Sequence, residues 1–496
     1  MKRFNQQFTV HPVGQGFFYS GVFTTELFPV SRDFKFVFDC GSLTHADGNE
    51  EADLFRDSHL PGTDSKLDLL VISHFDADHI NKIGRLLKDK RKLDNLVMPF
   101  TLLRERLFMG LRYAGNADTE NEDDFDFTLS MMIDPLGTLS GNLGEGGNVF
   151  LMTTDPDNPP FGVGDNENVF PEANIEDPET AFDFPAGKKD LSTDEIKASG
   201  LRTEVGTVKT VQDSFRAKLF FKHRKEITLA EFLFYHKPLG ENEKNFYDAV
   251  YSEFCNKYKI DPDAAPDEIL DQMIRVIKPM KGSTKIKELF IQAAKKIKLD
   301  LNKSEIANMN STALNMLHVN LPVITGIFGQ RDLRLRNITT GISEIKKMGE
   351  IARFRFEVPV ITDIYWKYWH WVETLLVEKK YFCYPNVLLT SDAYLIEQTD
   401  SDRFCNRYKN YWEHFWLFQV PHHGSKNNIN KSLLSRIKLK DFVFLNYGIR
   451  HQFEKKYLHP DNEVIADLVS TGHSKNILAV NEYSGLKFFF ECRNDA

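Results

Sequence analysis

At residues 73–79 the chain reads Ser73-His74-Phe75-Asp76-Ala77-Asp78-His79. An apolar stretch, 67–72, precedes this run, and an amphipathic stretch, 80–87, follows it. This order predicts a loop between the end of a buried strand and the start of a helix. Because alternate side chains of an extended loop point the same way, His74 and Asp76 can face one cation. Asp78 and His79 lie where the helix begins and can serve a second cation.

Side chains that bind metals are concentrated in this loop, but such a cluster is not specific by itself. A lone group of acidic residues and histidines at a strand end is more often a solvated loop or a helix cap. An EF-hand needs a Gly and a bidentate Glu at set positions, and neither occurs here. A metal site therefore requires further ligands from elsewhere in the chain.

Other segments with Gly, His or Asp at strand ends follow one another along the chain. They are Val13-Gly14-Gln15-Gly16, Phe36-Val37-Phe38-Asp39-Cys40-Gly41, Leu388-Leu389-Thr390-Ser391-Asp392-Ala393, Val420-Pro421-His422-His423-Gly424-Ser425 and His459-Pro460. Any one of these segments alone is a weak signal. Their occurrence in this order, around the 73–79 run, is specific.

Together these segments resemble the metallo-β-lactamase superfamily, and within it the soluble hydrolase domain of ComEC-type DNA-internalisation competence proteins. That branch has His-x-Asp-x-Asp-His in place of the common His-x-His-x-Asp-His, and it carries a Pro-His-His-Gly-Ser segment. Ser391 stands where the branch usually has Gly. The resemblance implies an α/β fold, the metallo-β-lactamase αββα sandwich. The remaining length is then expected as a large, partly helical insertion and a second, aromatic-rich insertion.

The resemblance also implies a site with two divalent metal ions. His74 and Asp76 would hold the first ion, and Asp78 and His79 would hold the second. Asp392 would bridge the two ions, and His422 would complete the second site, with His423 as the alternative. Asp78 and Asp392 would also steer the attacking water, and His459 would protonate the leaving group or contact a phosphate; a surface turn remains the alternative for His459.

The identity of the metal follows from the ligand types. Asp76 replaces an imidazole, and Asn308 stands near the place where most of the superfamily has another His. Asn308 is therefore a candidate ligand or a residue that supports one. A set this rich in oxygen favours Mn²⁺, with Zn²⁺ as the alternative.

Composition limits the partners and the compartment. The formal net charge of −9 argues against a surface that coats nucleic acid in general. Basic residues become denser after the His-His-Gly-Ser segment, so Ser425, Lys426 and Arg450 are candidate substrate-binding residues, with ordinary solvated side chains as the alternative. The five scattered cysteines suit a reducing, cytoplasmic setting. No apolar run approaches 18 residues, so we expect no membrane anchor.

The order of patterns suggests an organisation into core halves and insertions. Residues 1–115 and 385–496 are expected to form the two halves of the core, with strands in 8–40, a mainly helical part in 79–115 and a core strand in 306–325. Residues 116–305 are expected as an insertion, loop-rich and acidic first and helical in 240–305. Residues 326–384 are expected as the aromatic-rich insertion.

The resulting hypothesis is a metal-dependent phosphodiester hydrolase. The resemblance implies a nuclease that acts on DNA, possible settings being bacterial antiviral defence or DNA processing. A protein partner or a second copy of the chain would bind through the insertions. Two alternatives stay open: a small-molecule esterase or phosphodiesterase of the same superfamily, and a non-catalytic subunit that binds a partner.

Overall fold

The computed structural model describes most of the chain in sixteen ranges. They are 2–27, 30–43, 45–117, 122–143, 146–154, 160–161, 179–202, 206–212, 215–222, 226–299, 312–320, 330–339, 386–412, 416–437, 442–449 and 459–494. Asn308, Arg450 and most of the expected aromatic-rich insertion lie outside these residues.

The strands, numbered in chain order, include long antiparallel strands near the start and short buried strands in the second half. They are β1 Lys2–Val10, β2 Phe18–Leu27, β3 Val30–Cys40, β4 Lys66–Leu67, β5 Leu69–Val71, β6 Lys92–Leu93, β7 Asn95–Pro99, β8 Asn148–Met152, β9 Glu179–Asp183, β10 Lys188–Lys189, β11 Thr207–Val211, β12 Arg216–Lys222, β13 Glu226–Tyr235, β14 Asn315–Asn320, β15 Gln330–Thr339, β16 Val387–Leu389, β17 Leu417–Gln419, β18 Phe442–Asn446, β19 Ile477–Val480 and β20 Ser484–Asn494.

These strands form two large sheets. The first has the order β10-β11-β8-β7-β5-β3-β2-β1-β20-β15, and the second has the order β19-β18-β17-β16-β14-β13-β12-β9. Strands β4 and β6 form a separate parallel pair. In each sheet an antiparallel part adjoins a parallel part: β1, β2 and β3 are antiparallel, whereas β3, β5, β7 and β8 are parallel.

Helices and 3₁₀ turns connect the strands. The helices are α1 His45–His59, α2 Ala77–Ile80, α3 Ile83–Leu86, α4 Leu103–Asn116, α5 Glu122–Ile133, α6 Pro135–Leu143, α7 Thr193–Ser199, α8 Glu241–Tyr258, α9 Pro266–Ile277, α10 Thr284–Lys296, α11 Gln398–Arg407, α12 Lys431–Leu434 and α13 Asn462–Ser470. The 3₁₀ turns are Lys88–Lys90, Lys278–Met280, Lys409–Tyr411, His422–Gly424 and His473–Lys475. None of the helices in the described ranges is long and apolar enough to cross a bilayer.

The two sheets pack face to face, as the alternation of side chains along the strands requires. Phe36 of β3 meets Phe232 of β13 with ring centroids 5.4 Å apart, and both side chains are fully buried. Side chains on the other face of each sheet contact helices: Phe18 of β2 contacts Phe55 of α1, and Tyr235 of β13 contacts Phe404 of α11. The chain is thus an α/β protein with helices against the outer face of each sheet.

Several sequence predictions of local structure are confirmed. Residues 8–40 lie in the antiparallel strands β1, β2 and β3. The helical pattern of 240–305 corresponds to α8, α9 and α10, and the core strand expected in 306–325 is β14, which pairs with β13 and β16.

The stretch 79–305 combines helices with strands of both sheets. The part 79–115 is mainly helical, as expected, through α3 and α4, and the buried parallel strand β7 lies between these two helices. Residues 116–305, expected as an insertion, contribute β8 to the first sheet and β12 and β13 to the second. The acidic start of this stretch forms α5, whose Asp124 and Asp126 pair with Lys82 and Lys278.

A buried histidine links the two sheets. The hydroxyl of Tyr19 on β2 lies 2.6 Å from Nε2 of His318 on β14, and the His318 ring stacks on Phe8 with centroids 4.6 Å apart. Burial lowers the pKa of His318 to about 3. His318 is therefore neutral in the folded protein at any pH near neutrality.

This low pKa predicts a loss of stability in mild acid. Below the ordinary pKa of about 6.5, the unfolded chain binds a proton at His318 and the folded chain does not, so stability falls as the pH decreases from 6.5 towards 3. Between pH 7.5 and 5.5 this linkage costs roughly 1 kcal/mol. We expect His318→Gln, which still accepts from Tyr19 but does not titrate, to lose about that much less stability over this pH interval. Urea unfolding with a chelator present measures the difference; equal pH slopes for the two proteins would disprove this role.

Candidate metal centre

The predicted site residues lie where strands of both sheets end. Strand β5 ends just before His74, β16 ends three residues before Asp392, and β17 ends three residues before His422. Because β16 and β17 are parallel, their carboxyl ends meet at one edge of the second sheet. The carboxyl end of β5 in the first sheet faces this edge, and the site lies between the two sheets.

One group of side chains surrounds one oxygen of Asp392. Oδ2 of Asp392 lies 3.9 Å from Nε2 of His74 and 3.5 Å from Nε2 of His422. Nε2 of His74 also lies 3.9 Å from Oδ2 of Asp76. Atoms that bind one ion at about 2.0–2.2 Å are expected about 3–4 Å apart, and these separations fall in that interval.

A second group surrounds the other oxygen of the same carboxylate. Oδ1 of Asp392 lies 3.4 Å from Nε2 of His79 and 3.9 Å from Nε2 of His423. Nε2 of His423 lies 3.6 Å from Oδ2 of Asp78. The sequence left His422 and His423 as alternatives for this second group; the structure brings His423 to Asp78, and it brings His422 to the first group instead.

Each of the four imidazoles has a hydrogen-bond partner at Nδ1. Nδ1 of His79 lies 2.8 Å from Oδ2 of Asp39, and Nδ1 of His423 lies 2.8 Å from the carbonyl oxygen of Asn446. The corresponding partners of the other two rings are Ser73 Oγ for His74, at 2.9 Å, and Asn428 Oδ1 for His422, at 2.6 Å. A carboxylate, carbonyl or amide oxygen at Nδ1 fixes the tautomer in which Nε2 carries the lone pair.

The Nε2 atoms of His74, His79 and His423 are buried and have no hydrogen-bond partner. Buried polar nitrogens in a protein are almost always paired, because an unpaired one costs about 1–3 kcal/mol. Three such nitrogens converge here on the carboxylates of Asp76, Asp78 and Asp392. Imidazole and carboxylate donors in this arrangement fit divalent cations.

The electrostatics of the site are those of a buried, charged cluster. Burial raises the pKa of Asp392, but His422, His79 and His423 together hold it well below its usual range. Burial lowers the pKa of His79, yet the carboxylates of Asp392, Asp78 and Asp39 raise it well above its usual value. The carboxylates thus attract positive charge strongly.

Asp39 is a residue whose role the sequence reasoning missed. Its fully buried carboxylate accepts hydrogen bonds from the backbone nitrogen and the hydroxyl of Ser73, at 2.7 and 2.5 Å, besides the contact with His79. Asp39 has a φ of 54°, a left-handed conformation in which Asp is more common than most residues. An Asp at the end of the Phe-Val-Phe strand was the available signal.

Ser391 also supports the centre. Its hydroxyl lies 2.7 Å from Oγ of Ser73, and its backbone nitrogen donates to Oε1 of Gln419 at 2.8 Å. Ser391 has a φ of 49°, which explains why Gly is the usual residue at such a position. The Ser hydroxyl connects the two sheets directly behind the side chains of the candidate metal centre.

Glycines allow the Asp78–His79 turn to pack closely on neighbouring backbone. An added Cβ on Gly41 would lie 2.3 Å from the carbonyl carbon of Asp78 and 2.4 Å from the nitrogen of His79. A Cβ on Gly16 would lie 2.7 Å from the oxygen of Asp78. That same oxygen accepts a hydrogen bond from the nitrogen of Phe17 at 3.0 Å.

The remaining predicted residues differ in their placement. The His459 ring lies 5.6 Å from that of His422, and burial together with His423 and His422 lowers the pKa of His459 to about 4. Ser425 is buried, and the ammonium of the exposed Lys426 next to it in the chain pairs with Glu463 at 2.9 Å. The structure therefore places His459 beside the cluster, whereas Lys426 forms an ion pair with an acidic neighbour.

We expect Asp39→Asn to weaken divalent metal binding by about 10–100-fold, because the amide lacks the negative charge beside His79 and must turn its NH₂ group towards a donor, either the Ser73 nitrogen or His79 Nδ1. Competition with a chromophoric chelator for Mn²⁺ and Zn²⁺ measures the affinity. Asp68→Asn is a matched control, since Asp68 is also buried but accepts from the Lys35 nitrogen at the other end of β5. Equal affinities for the two variants would contradict the role of Asp39.

We expect Gly41→Ala to displace the Asp78–His79 turn, destabilise the fold by about 1–3 kcal/mol and abolish tight metal binding. Gly62→Ala is the control, because the nearest atom to its added Cβ is Ser65 Oγ at 3.8 Å. Thermal unfolding and chelator competition are measured on both proteins. Normal metal affinity in Gly41→Ala would show that the close approach is not needed.

Searches with protein-family models, curated proteins and solved structures found no match to this chain. The chemistry of the centre must therefore be judged from its own side chains. Those side chains form two groups of nitrogen and oxygen donors that share the Asp392 carboxylate.

Proposed function

We propose that the protein is a hydrolase with two divalent metal ions and that its fold is the metallo-β-lactamase sandwich. The observation that carries the proposal is a set of buried Nε2 atoms that lack a hydrogen-bond partner and face carboxylates, those of His74, His79 and His423. The Nδ1 atom of each of these rings does have a hydrogen-bond partner. The two facing sheets with outer helices are consistent with that fold.

The proposed ligands divide between the two oxygens of Asp392. His74, Asp76 and His422 would hold one ion on the side of Oδ2. Asp78, His79 and His423 would hold the other on the side of Oδ1. Four imidazoles make this set softer than the sequence alone suggested, so Zn²⁺ and Mn²⁺ are both suitable.

In the proposed mechanism, divalent ions supply the activation of water and the stabilisation of charge on a phosphorus centre. Asp392 and Asp78 orient the attacking water through their carboxylates. His459, beside His422 and partly exposed to solvent, contacts a phosphate oxygen as a neutral hydrogen-bond donor, because a pKa of about 4 leaves the ring uncharged near neutral pH. The leaving oxygen then takes its proton from solvent water. Asp39, Ser73 and Ser391 take no part in proton transfer; they keep the imidazoles in place.

The first substrate we propose is the phosphodiester bond of DNA, in a cytoplasmic setting such as bacterial defence or DNA processing. A specific observation keeps a smaller substrate as the second candidate. The ammonium of Lys426 is paired with Glu463, and its backbone nitrogen donates to Asp461 at 2.8 Å. The surface around Lys426 is therefore not a basic groove that could bind a long polyanion.

Nuclease assays with Asp392→Asn test the proposal. We expect the wild-type protein to cleave plasmid or single-stranded DNA, or bis-p-nitrophenyl phosphate, with Mn²⁺ or Zn²⁺. Asp392→Asn removes the shared charge, and its rate is expected to fall at least about 100-fold, the scale of losing one charged catalytic contact. Asp402→Asn, an exposed residue paired with Arg436, is the matched control. Equal cleavage by wild type and Asp392→Asn, or no cleavage by the wild type with any metal, would refute the assignment.

A further inference from the structure

A buried amide fixes one of the four imidazoles of the centre. Asn428 is fully buried in the loop between the 3₁₀ turn His422–Gly424 and α12. Its side-chain nitrogen donates to the carbonyl oxygens of Asp392 and Ala393, at 3.2 and 3.3 Å. Its side-chain oxygen lies 2.6 Å from Nδ1 of His422. Asn428 thus connects the His422 ring to the main chain that carries the Asp392 carboxylate.

The two carbonyl oxygens decide which way this amide points. A carbonyl oxygen only accepts hydrogen bonds, so the NH₂ group of Asn428 must face Asp392 and Ala393. Oδ1 of Asn428 then faces His422 and accepts, which requires the proton of the neutral ring to be on Nδ1. The lone pair of Nε2 is left facing Oδ2 of Asp392 at 3.5 Å. Two acceptors at this separation repel, and a shared cation removes that repulsion.

The two metal groups are not equally well formed. On the Oδ1 side of the shared carboxylate, the ligand atoms of Asp78, His79 and His423 all lie within 4.8 Å of one another. Within the described ranges, no such compact group of ligand atoms includes Asp76 or His422. A site whose ligands are already together binds its ion with less rearrangement, so we expect the Oδ1 side to bind first.

Exposure and hydrogen bonding differ between the two groups in the same direction. The side chains of His422 and Asp76 are 24% and 23% exposed, whereas those of His79 and His423 are 0% and 1% exposed. The carboxylate of Asp39 at Nδ1 makes His79 a stronger ligand than a neutral amide makes His422. An ion on the Oδ2 side is therefore closer to water and has weaker ligands.

We propose that Asn428 controls how readily the ion on the Oδ2 side binds, and that this ion binds last and switches hydrolysis on. Without the amide, the His422 ring is free to turn towards solvent and to carry its proton on Nε2, so the ion loses a ligand. Protein that holds only the ion on the Oδ1 side is inactive. This inference rests on the proposed function and describes its regulation by the concentration of free divalent metal.

Titration of the metal-free, full-length protein with Mn²⁺ tests the inference. Equilibrium dialysis counts the bound ions, and electron paramagnetic resonance distinguishes a single Mn²⁺ from a magnetically coupled pair. We expect the wild type to bind two ions in sequence, the second at least about tenfold more weakly, and cleavage of bis-p-nitrophenyl phosphate to follow the second ion. In Asn428→Ala the first affinity should be unchanged, and the second should fall about 10–100-fold, the usual cost of losing the partner of a metal-binding His.

Asn430→Ala is the matched control. Asn430 lies in the same loop, and its side-chain nitrogen also donates to main-chain carbonyls, those of Leu395 and Ile396 at 3.3 and 2.9 Å. Its side-chain oxygen accepts from the Leu433 nitrogen at 2.9 Å rather than from a ring. Asn430→Ala should keep both Mn²⁺ affinities. An equal loss of the second affinity in the two variants would mean that the loop as a whole is responsible, and the role of Asn428 would be refuted.

A double-mutant cycle shows whether Asn428 acts through His422. His422→Ala should weaken the second Mn²⁺ as Asn428→Ala does, and the double variant should lose little more, because both changes remove the same interaction. Additive losses would give Asn428 a role separate from the ring and overturn the proposal. If Asn428→Ala does not fold, His422→Ala still decides the order of binding: loss of the first ion rather than the second contradicts it.

The outcomes separate this inference from the proposed function. A wild type that binds two ions with equal affinity, or that cleaves its substrate with one ion bound, overturns the inference alone. Ordered binding of two ions without cleavage of any phosphodiester overturns the proposed reaction, and with it the regulatory role of Asn428. A wild type that binds no divalent ion overturns both.

Discussion

The position of the Asp392 carboxylate is the constraint on which the site depends. Each of its oxygens faces two imidazole nitrogens, and the carboxylate is buried between the two sheets. Such a cluster of charge persists away from water only when every ring is fixed, and the bonds at Nδ1 provide that fixation. The backbone of Gly41 and Gly16 packs closely against the turn that carries Asp78 and His79, and this contact also helps to fix the position of the His79 ring.

The ligand loop could be predicted because strand, loop and helix follow one another locally. The run 73–79 carries its donors within six positions, so its geometry depends little on distant residues. His423 could not be assigned in this way. His422 and His423 both adopt positive φ values, 47° and 57°, and this backbone conformation sends neighbouring rings to opposite oxygens of Asp392. No periodic pattern in the sequence signals such a turn.

Some of the strands within 79–305 could not be predicted from the sequence, for physical reasons. Strands β7 and β8 are each five residues long and fully or almost fully buried, so their apolar runs lack the alternation that marks a half-exposed strand. The acidic composition of α5 is typical of an exposed loop, yet negative charge in the first turn stabilises a helix N-terminus. Pairing with Lys82 and Lys278 then ties that helix to its neighbours.

The pairing of β1 with β20 has a consequence for biosynthesis. Strand β1 pairs with β20 in antiparallel orientation along nine residues, from Lys2 opposite Asn494 to Val10 opposite Leu486. A ribosome releases the partner of β1 long after β1 itself, and contacts of such long range are slow to form. The histidines and carboxylates of the centre likewise come from 74–79 and from 392–423, so a nascent polypeptide holds only the first group until residues 392–423 are made. Assembly of the centre is thereby delayed until the whole sandwich can close.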